Sequence, residues 1–175
     1  LGKKSVTIDL KSGEGRRQFE ALVKSADCVV NNLRGTQPGK LGIDYASLKH
    51  LKPEIVCLHI SAYGRAGERA ANPRADWPGY DFLMQAETGL MELTGDPDGP
   101  PTRVGVSLID SMSGLTGTVG LLACLLRAKI TGQGGDVETC LYDVAMHQLT
   151  YPGAWYLNEG DVSPRVPRSA HLALA

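Results

Sequence analysis

Hydrophobic and polar residues alternate over Ser5-Val6-Thr7-Ile8-Asp9-Leu10, the two-residue period of a strand. From there the period lengthens. Phe19, Leu22 and Val23 recur at helical spacing behind Ser12, a good N-cap, and predict a helix over 14–25. Asp27-Cys28-Val29-Val30-Asn31-Asn32 is a short apolar run ending in polar residues, as suits a parallel strand covered on both faces. A helix follows over 45–51, capped by Asp44 and stopped by Pro53. Ile55 to Ser61 reads as the next strand, running into a loop that continues to residue 79. Beyond it the pattern predicts a helix over 80–93, turns over 95–101, a strand over 103–109 and a long helix over 110–129. Glycines close that helix at 132–135; a strand over 136–139 and a helix over 141–149 complete the series. Strands alternating with helices imply an open, mainly parallel α/β sheet. Ligands of such sheets bind beyond the carboxyl ends of the strands. That edge here carries Asn31, Asn32, Leu33, Arg34 and residues 61–64.

Composition narrows the classes. The chain has 175 residues, 42% hydrophobic and 21% charged, ordinary globular values that exclude wholesale disorder. Its formal net charge of -1 lacks the basic excess of a nucleic-acid binder. Glycine (21) and proline (10) exceed their usual joint share of about 12%. They cluster at 95–101, 114–120 and 131–135, the punctuation of a site scaffold. The four cysteines, at 28, 57, 124 and 140, lie in apolar contexts without CxxC spacing, which predicts buried, reduced thiols and a cytoplasmic setting. His50, His59, His147 and His171 show no metal-ligand spacing, so no metal is expected. Gly35 to Lys40 is one residue short of a phosphate loop and contains Pro38. The longest apolar region, around 115–126, is about a dozen residues, so no membrane span is expected. The chain opens Leu1-Gly2-Lys3 without an initiator Met and is treated as a piece of a longer protein.

Two acids sit at predicted helix starts. Asp110 precedes Ser111, Ser113 and Gly114, with Gly114, Gly117 and Gly120 on one helical stripe. A carboxylate there meets free N–H groups and the positive end of the dipole, which keep it ionised and placed as a nucleophile should be. The same position suits a simple cap. Asp81, after Pro78-Gly79-Tyr80, carries the same two readings. Arg34 and Lys40 are candidates for phosphate contacts or solvated charges, and Tyr63, Trp77 and Tyr80 for packing aromatics or stackers. Spacing alone leaves these pairs open.

The motifs taken together resemble the class III coenzyme A transferases. Lys4 to Lys11 is similar to that family's K-S-x-x-L-D-L-K opening, and Val30-Asn31-Asn32-Leu33-Arg34 to its V-E-N-F-R-P-G segment. Gly79-Tyr80-Asp81 with Gln85-Ala86 and Thr88-Gly89-Leu90-Met91 resembles its G-Y-D-x-x-x-Q-A-x-S-G-L-M stretch. Ile109 to Gly114 resembles the nucleophile segment of formyl-CoA transferase, and Thr131 to Gly134 with Leu141-Tyr142-Asp143 completes the match. The chain departs at Asn31, where the family has Glu, and at Leu33-Arg34-Gly35-Thr36, where it has Phe-Arg-Pro-Gly.

The resemblance implies a Rossmann-like open sheet with helices on both faces, within chains about twice this length that form interlaced homodimers. It divides this one into a partial CoA-binding domain over 1–150, its first strand missing, and a linker toward a smaller domain over 151–175. It implies an acyl-CoA:carboxylate CoA-transferase working through aspartyl-acyl anhydride and aspartyl-CoA thioester intermediates. Asp110 is then the nucleophile and Asp81 a supporting acid, with Asn32, Leu33, Arg34, Lys40, Leu41 and Tyr80 holding substrate or CoA. The CoA thioester is a substrate, and no tightly bound cofactor is expected. The related α-methylacyl-CoA racemases need a His before the first Asp; Tyr80 stands there, and tyrosine with its pKa of about 10 is a poor base. A non-catalytic CoA-binding paralogue is the third reading, and the retained Asp110 argues against it.

Overall fold

The structure is a computed structural model that describes residues 2–65, 72–167 and 172. Three parallel strands form its sheet: β1 (Cys28–Asn31), β2 (Val56–Ser61) and β3 (Gly135–Cys140), in the spatial order β1-β2-β3. Val30 lies beside Leu58, and Leu58 beside Val137. Parallel neighbours demand crossovers, and helices supply them. α1 (Gly13–Ser25) precedes β1; α2 (Gln37–Leu41) and α3 (Tyr45–Leu48) connect β1 to β2; α4 (Asp81–Glu87), a 3-10 turn (Leu90–Leu93) and α5 (Leu108–Thr131) connect β2 to β3; α6 (Leu141–Gln148) and α7 (Thr150–Glu159) follow.

Side chains alternate across the sheet, so each face has its own core. On one face Val23 of α1 and Leu48 of α3 pack with Ile55 and Cys57. α5 covers the other. Its glycine stripe explains how: a Cβ on Gly117 would lie 3.1 Å from Thr139 and 3.3 Å from Leu58, and one on Gly120 would lie 2.9 Å from Val137. Glycine brings the helix axis down onto the strands. Beyond the sheet, Met84 and Ile109 pack with Leu141 and Ala145, joining α4, α5 and α6. Each such fully buried aliphatic side chain contributes about 1.5–3 kcal/mol.

Several expectations are corrected. Residues 5–10 form no strand: none of the described strands pairs with them, and Val6 is exposed. Residues 103–107 are not a strand either, and α5 starts at Leu108. There the Val104 N–H donates to the Gln85 side chain at 2.9 Å instead of to a ladder partner. The helix expected over 80–93 breaks at Gly89, whose φ of +83° only glycine adopts at low cost. Pro38 in the first turn starts a short helix, α2, that the sequence pattern did not indicate. The stretch read as linker opens with α7. Residues 66–71, expected as loop, lie outside the described residues, as does His171.

The apolar segment is longer than expected. α5 runs for 24 residues, and by length and composition it could cross a membrane. In this fold its glycine face is packed on the sheet, while Leu115, Val119, Leu122, Leu126 and Ile130 form an exposed apolar row.

The tightest backbone approach lies between α5 and β3. The Gly134 N–H donates to Pro53 O at 2.9 Å, and a Cβ there would lie 1.9 Å from Ile55 O. In the full-length protein, Gly134→Ala is expected to lower stability by about 3 kcal/mol, read as a fall in the urea midpoint.

Candidate functional site

The carboxyl ends of the strands, with the start of α5, enclose a cleft of about 780 Å³. Asn32 and Arg34 reach it just beyond β1, Ile60 to Ala62 from β2 and Leu141 from β3. Pro78-Gly79-Tyr80 forms the opposite wall. Glycine is required there: a Cβ on Gly79 would lie 2.5 Å from the Ala62 Cβ and 2.9 Å from Met84 Cε. Asp110, Ser113 and Gly114, from the first turns of α5, complete the lining. Among the described lining residues Arg34 is the one cation; its guanidinium also donates to Asp76 O at 3.4 Å.

Asp81 lies behind this surface rather than on it. It is 7% exposed, and three donors surround its carboxylate. One oxygen accepts from Gln85 Nε2 at 2.5 Å. The other accepts from the backbone N–H groups of Ile109, at 2.6 Å, and Asp110, at 3.2 Å. These are two of the N–H groups that the first turn of a helix leaves without partners. Ser107, at the N-cap position, makes no side-chain bond to them. Asp81 therefore caps α5 from α4, a charge-assisted cap at the positive end of the dipole. Gln85, fully buried and one turn on, uses its carbonyl to hold Val104. Together Asp81 and Gln85 fix the backbone that carries Asp110.

The cap changes the expectation for Asp110. Sequence reasoning gave Asp110 the helix N–H groups and a carboxylate kept ionised by them. Asp81 takes two of those groups instead. Asp110 is exposed to the cleft, yet partial loss of solvent around its carboxyl pushes it up from its ordinary value, and the Asp81 charge pushes it further the same way. A carboxylate held in this way is a destabilised anion, more basic than an ordinary one.

Of the other sequence candidates, Asn32, Arg34 and Tyr80 line the cleft. Leu33, Lys40 and Leu41 do not: Leu33 and Leu41 are half-buried elsewhere, and Lys40 is exposed in the last turn of α2. Tyr80 is exposed and stacks on Phe82, ring centroids 5.8 Å apart. Trp77 packs edge-on against Tyr63, with Arg74 over both rings. Ser113 and Gln85 were named in motifs but given no role. Their signal was spacing: Ser113 is three residues past Asp110, and Gln85 four past Asp81. A second cavity, of about 390 Å³, lies by α7 and is lined largely by apolar residues such as Leu149, Tyr156 and Leu157. None of the sequence candidates lines it.

The buried histidine and the cysteines have structural surroundings. His59 is fully buried between Asn31 and Asp136, each 2.9 Å away. All four cysteines are free thiols. Cys57 and Cys140 are buried as expected, which pushes both up to about 12, whereas Cys28 and Cys124 are only half-buried. Among the described residues no group of His, Cys, Asp and Glu could hold a metal ion.

The profile of CoA-transferase family III matches residues 1–175, the whole chain. A succinate–glutarate CoA-transferase of Agrobacterium fabrum is 35% identical over 159 residues, 91% of this chain and 38% of that protein. A succinyl-CoA:mesaconate CoA-transferase of Haloarcula hispanica is 37% identical over 144 residues, 81% of this chain and 36% of that one. Among solved structures, a CAIB/BAIF family protein from Brucella suis superposes with a TM-score of 0.85 at 33% identity, covering 94% of this chain and 42% of that one. This chain thus spans well under half the length of the relatives it matches.

Replacing Asp81 separates its two effects. Asp81→Ala leaves two helix N–H groups and the Gln85 amide without their acceptor. It is expected to lower stability by roughly 2–4 kcal/mol in a denaturant titration of the full-length protein. Asp81→Asn removes the charge beside Asp110, so the Asp110 carboxyl, followed by carbon NMR against pH, is expected to titrate at lower pH than in the parent.

Proposed function

The chain belongs to CoA-transferase family III, and from that premise we propose that the full-length protein is an acyl-CoA:carboxylate CoA-transferase with Asp110 as its nucleophile. The observation that carries the reading is Asp110 itself. It is a cleft carboxylate, raised in basicity, on a helix end whose N–H groups are committed to Asp81. Ordinary carboxylates are weak nucleophiles. Partial loss of solvent and the neighbouring charge strengthen this one, at the cost that less of it is ionised at low pH.

In the proposed reaction an Asp110 oxygen attacks the thioester carbon of the donor. The carbonyl pair moves onto oxygen, the C–S bond breaks, and CoA leaves as thiolate while an aspartyl-acyl anhydride remains. The thiolate attacks the aspartyl carbonyl of that anhydride. This releases the donor acid as carboxylate and leaves an aspartyl-CoA thioester. The acceptor carboxylate then repeats both steps in reverse order, regenerating Asp110 and yielding the new acyl-CoA. No proton is gained or lost overall. The covalent route splits one difficult transfer into steps that each exchange similar bonds.

The relatives named above act on succinate, glutarate and mesaconate by their names, and we read the acids here as short dicarboxylates too. Arg34 supplies the cleft's positive charge for a carboxylate or a CoA phosphate. Asn32 and Tyr80 are the other contacts proposed for substrate. We take residues 1–150 as the CoA-binding part and the rest as leading to a second domain. The exposed apolar row on α5 supports burial against a second copy in a homodimer. Racemisation is the reading disfavoured by Tyr80, which stands where the two-base chemistry needs a His.

The test uses the full-length enzyme. Incubation with acyl-CoA and hydroxylamine is expected to leave a hydroxamate on Asp110, located by mass spectrometry. Asp110→Ala is expected to reduce CoA exchange with a panel of dicarboxylic acids by more than about 10³-fold. Modification of another residue, or full activity in Asp110→Ala, would overturn the reading. Solvent deuterium entering the α-position of a 2-methylacyl-CoA would replace it with racemisation.

A further inference from the structure

Ser113 is the most enclosed residue lining the cleft, 1% exposed, and its hydroxyl has no hydrogen-bond partner. It follows Asp110 by three residues on α5, so the two side chains rise from one helical face with their Cβ atoms about 5–6 Å apart. A hydroxyl on a helix ordinarily bonds the carbonyl one turn back. Thr118 and Thr131 of the same helix do this, reaching Gly114 O at 2.7 Å and Arg127 O at 2.9 Å. Ser113 does not. Buried hydroxyls are nearly always satisfied, so one left over beside a cleft points to a partner that arrives with the ligand.

We propose that Ser113 is a catalytic residue whose Oγ–H donates to the carbonyl oxygen of the acyl group while that group is being joined to Asp110. The inference rests on the transferase reading above. As Asp110 attacks, the thioester carbon becomes tetrahedral and its oxygen takes the electron pair. The Ser113 hydroxyl donates a hydrogen bond to that oxyanion and keeps its proton. The pair returns when the C–S bond breaks and thiolate departs. The neighbouring Gly114 has nothing within 4 Å of the place its Cβ would occupy, which leaves room beside Ser113 for the acyl group. A fixed donor needs no reorganisation as charge develops.

The test compares Ser113→Ala and Ser113→Cys in the full-length enzyme, with Asp110→Ala in parallel. Cysteine fills nearly the same space with a weak donor. Loss of one oxyanion donor reduces kcat on the order of 10²-fold. The expected result is that loss in both Ser113 variants, with KM for acyl-CoA and the melting temperature close to the parent's. With a ¹³C-carbonyl donor, the infrared band of the trapped intermediate is expected to move to higher frequency in Ser113→Ala, as a carbonyl does on losing a hydrogen bond. Parent-like kcat in Ser113→Ala, or in Ser113→Cys, overturns the inference, the latter by assigning the side chain a packing role. Should Ser113→Ala fail to fold, Ser113→Cys carries the kinetic and infrared measurements alone. These failures are distinct from that of the parent reading, which alone predicts that Asp110→Ala is inactive.

Discussion

The Asp81 carboxylate on the first turn of α5 is the interaction on which the rest of the site depends. It couples α4 to α5 without an apolar contact of its own, through the Ile109 and Asp110 N–H groups. Burying a charge is costly unless donors surround it. Here three donors do, one of them the Gln85 amide, which is itself anchored to Val104. The arrangement is self-consistent: α4 supplies the anion, α5 supplies the dipole, and Met84 and Ile109, each adjacent in sequence to the polar contacts, seal it from water. Removing any one part exposes or orphans the others.

The same geometry links fold to chemistry. Gly117 and Gly120 let α5 settle on β2 and β3, which sets its axis, while the Asp81 cap sets where its first turn begins. Asp110 and Ser113 then line the cleft at the carboxyl ends of the strands, on a helical turn held at both its cap and its packed face. The position of the cleft follows from the parallel sheet, since helix starts and strand ends gather at that edge.

Much of this was legible in the sequence, and the failures have physical causes. The apolar runs at 28–31 and 56–61 read correctly as strands; β2 is covered on both faces, as such a run suggests, whereas β1 lies at the edge of the described sheet and leaves Val30 exposed. The α1 cap at Ser12 was equally plain, since the residue type and the periodic run agree. The alternating stretches at 5–10 and 103–107 misled, because a period of two records only that a segment can be extended. Strand structure needs a neighbour, and none of the described strands pairs with either stretch. The cleft residues Asn32, Arg34, Tyr80 and Asp110 were found from strand ends and motifs. Lys40 and Leu41 do not line the cleft; they belong to α2, a helix that the sequence pattern did not indicate. The division of labour between the two acids was invisible, since local pattern makes each a plausible cap. Only the three-dimensional structure shows that Asp81 caps the helix of Asp110.

That division has an energetic consequence for a protein with so little net charge. Asp110 is raised from its ordinary value by partial loss of solvent and by Asp81. For an acid, a raised folded-state value means that the folded form favours the protonated group. The resulting stability is fully present below the unfolded value and is lost as pH rises through the folded one. Ionising Asp110, as a nucleophile requires, therefore works against a preference that folding itself imposes. Helix N–H groups directed at Asp110 would have relieved that preference and lowered its basicity with it. Giving them to Asp81 keeps Asp110 reactive while still fixing its place. The tension is local, because the cap that raises Asp110 also stabilises the helix on which it stands.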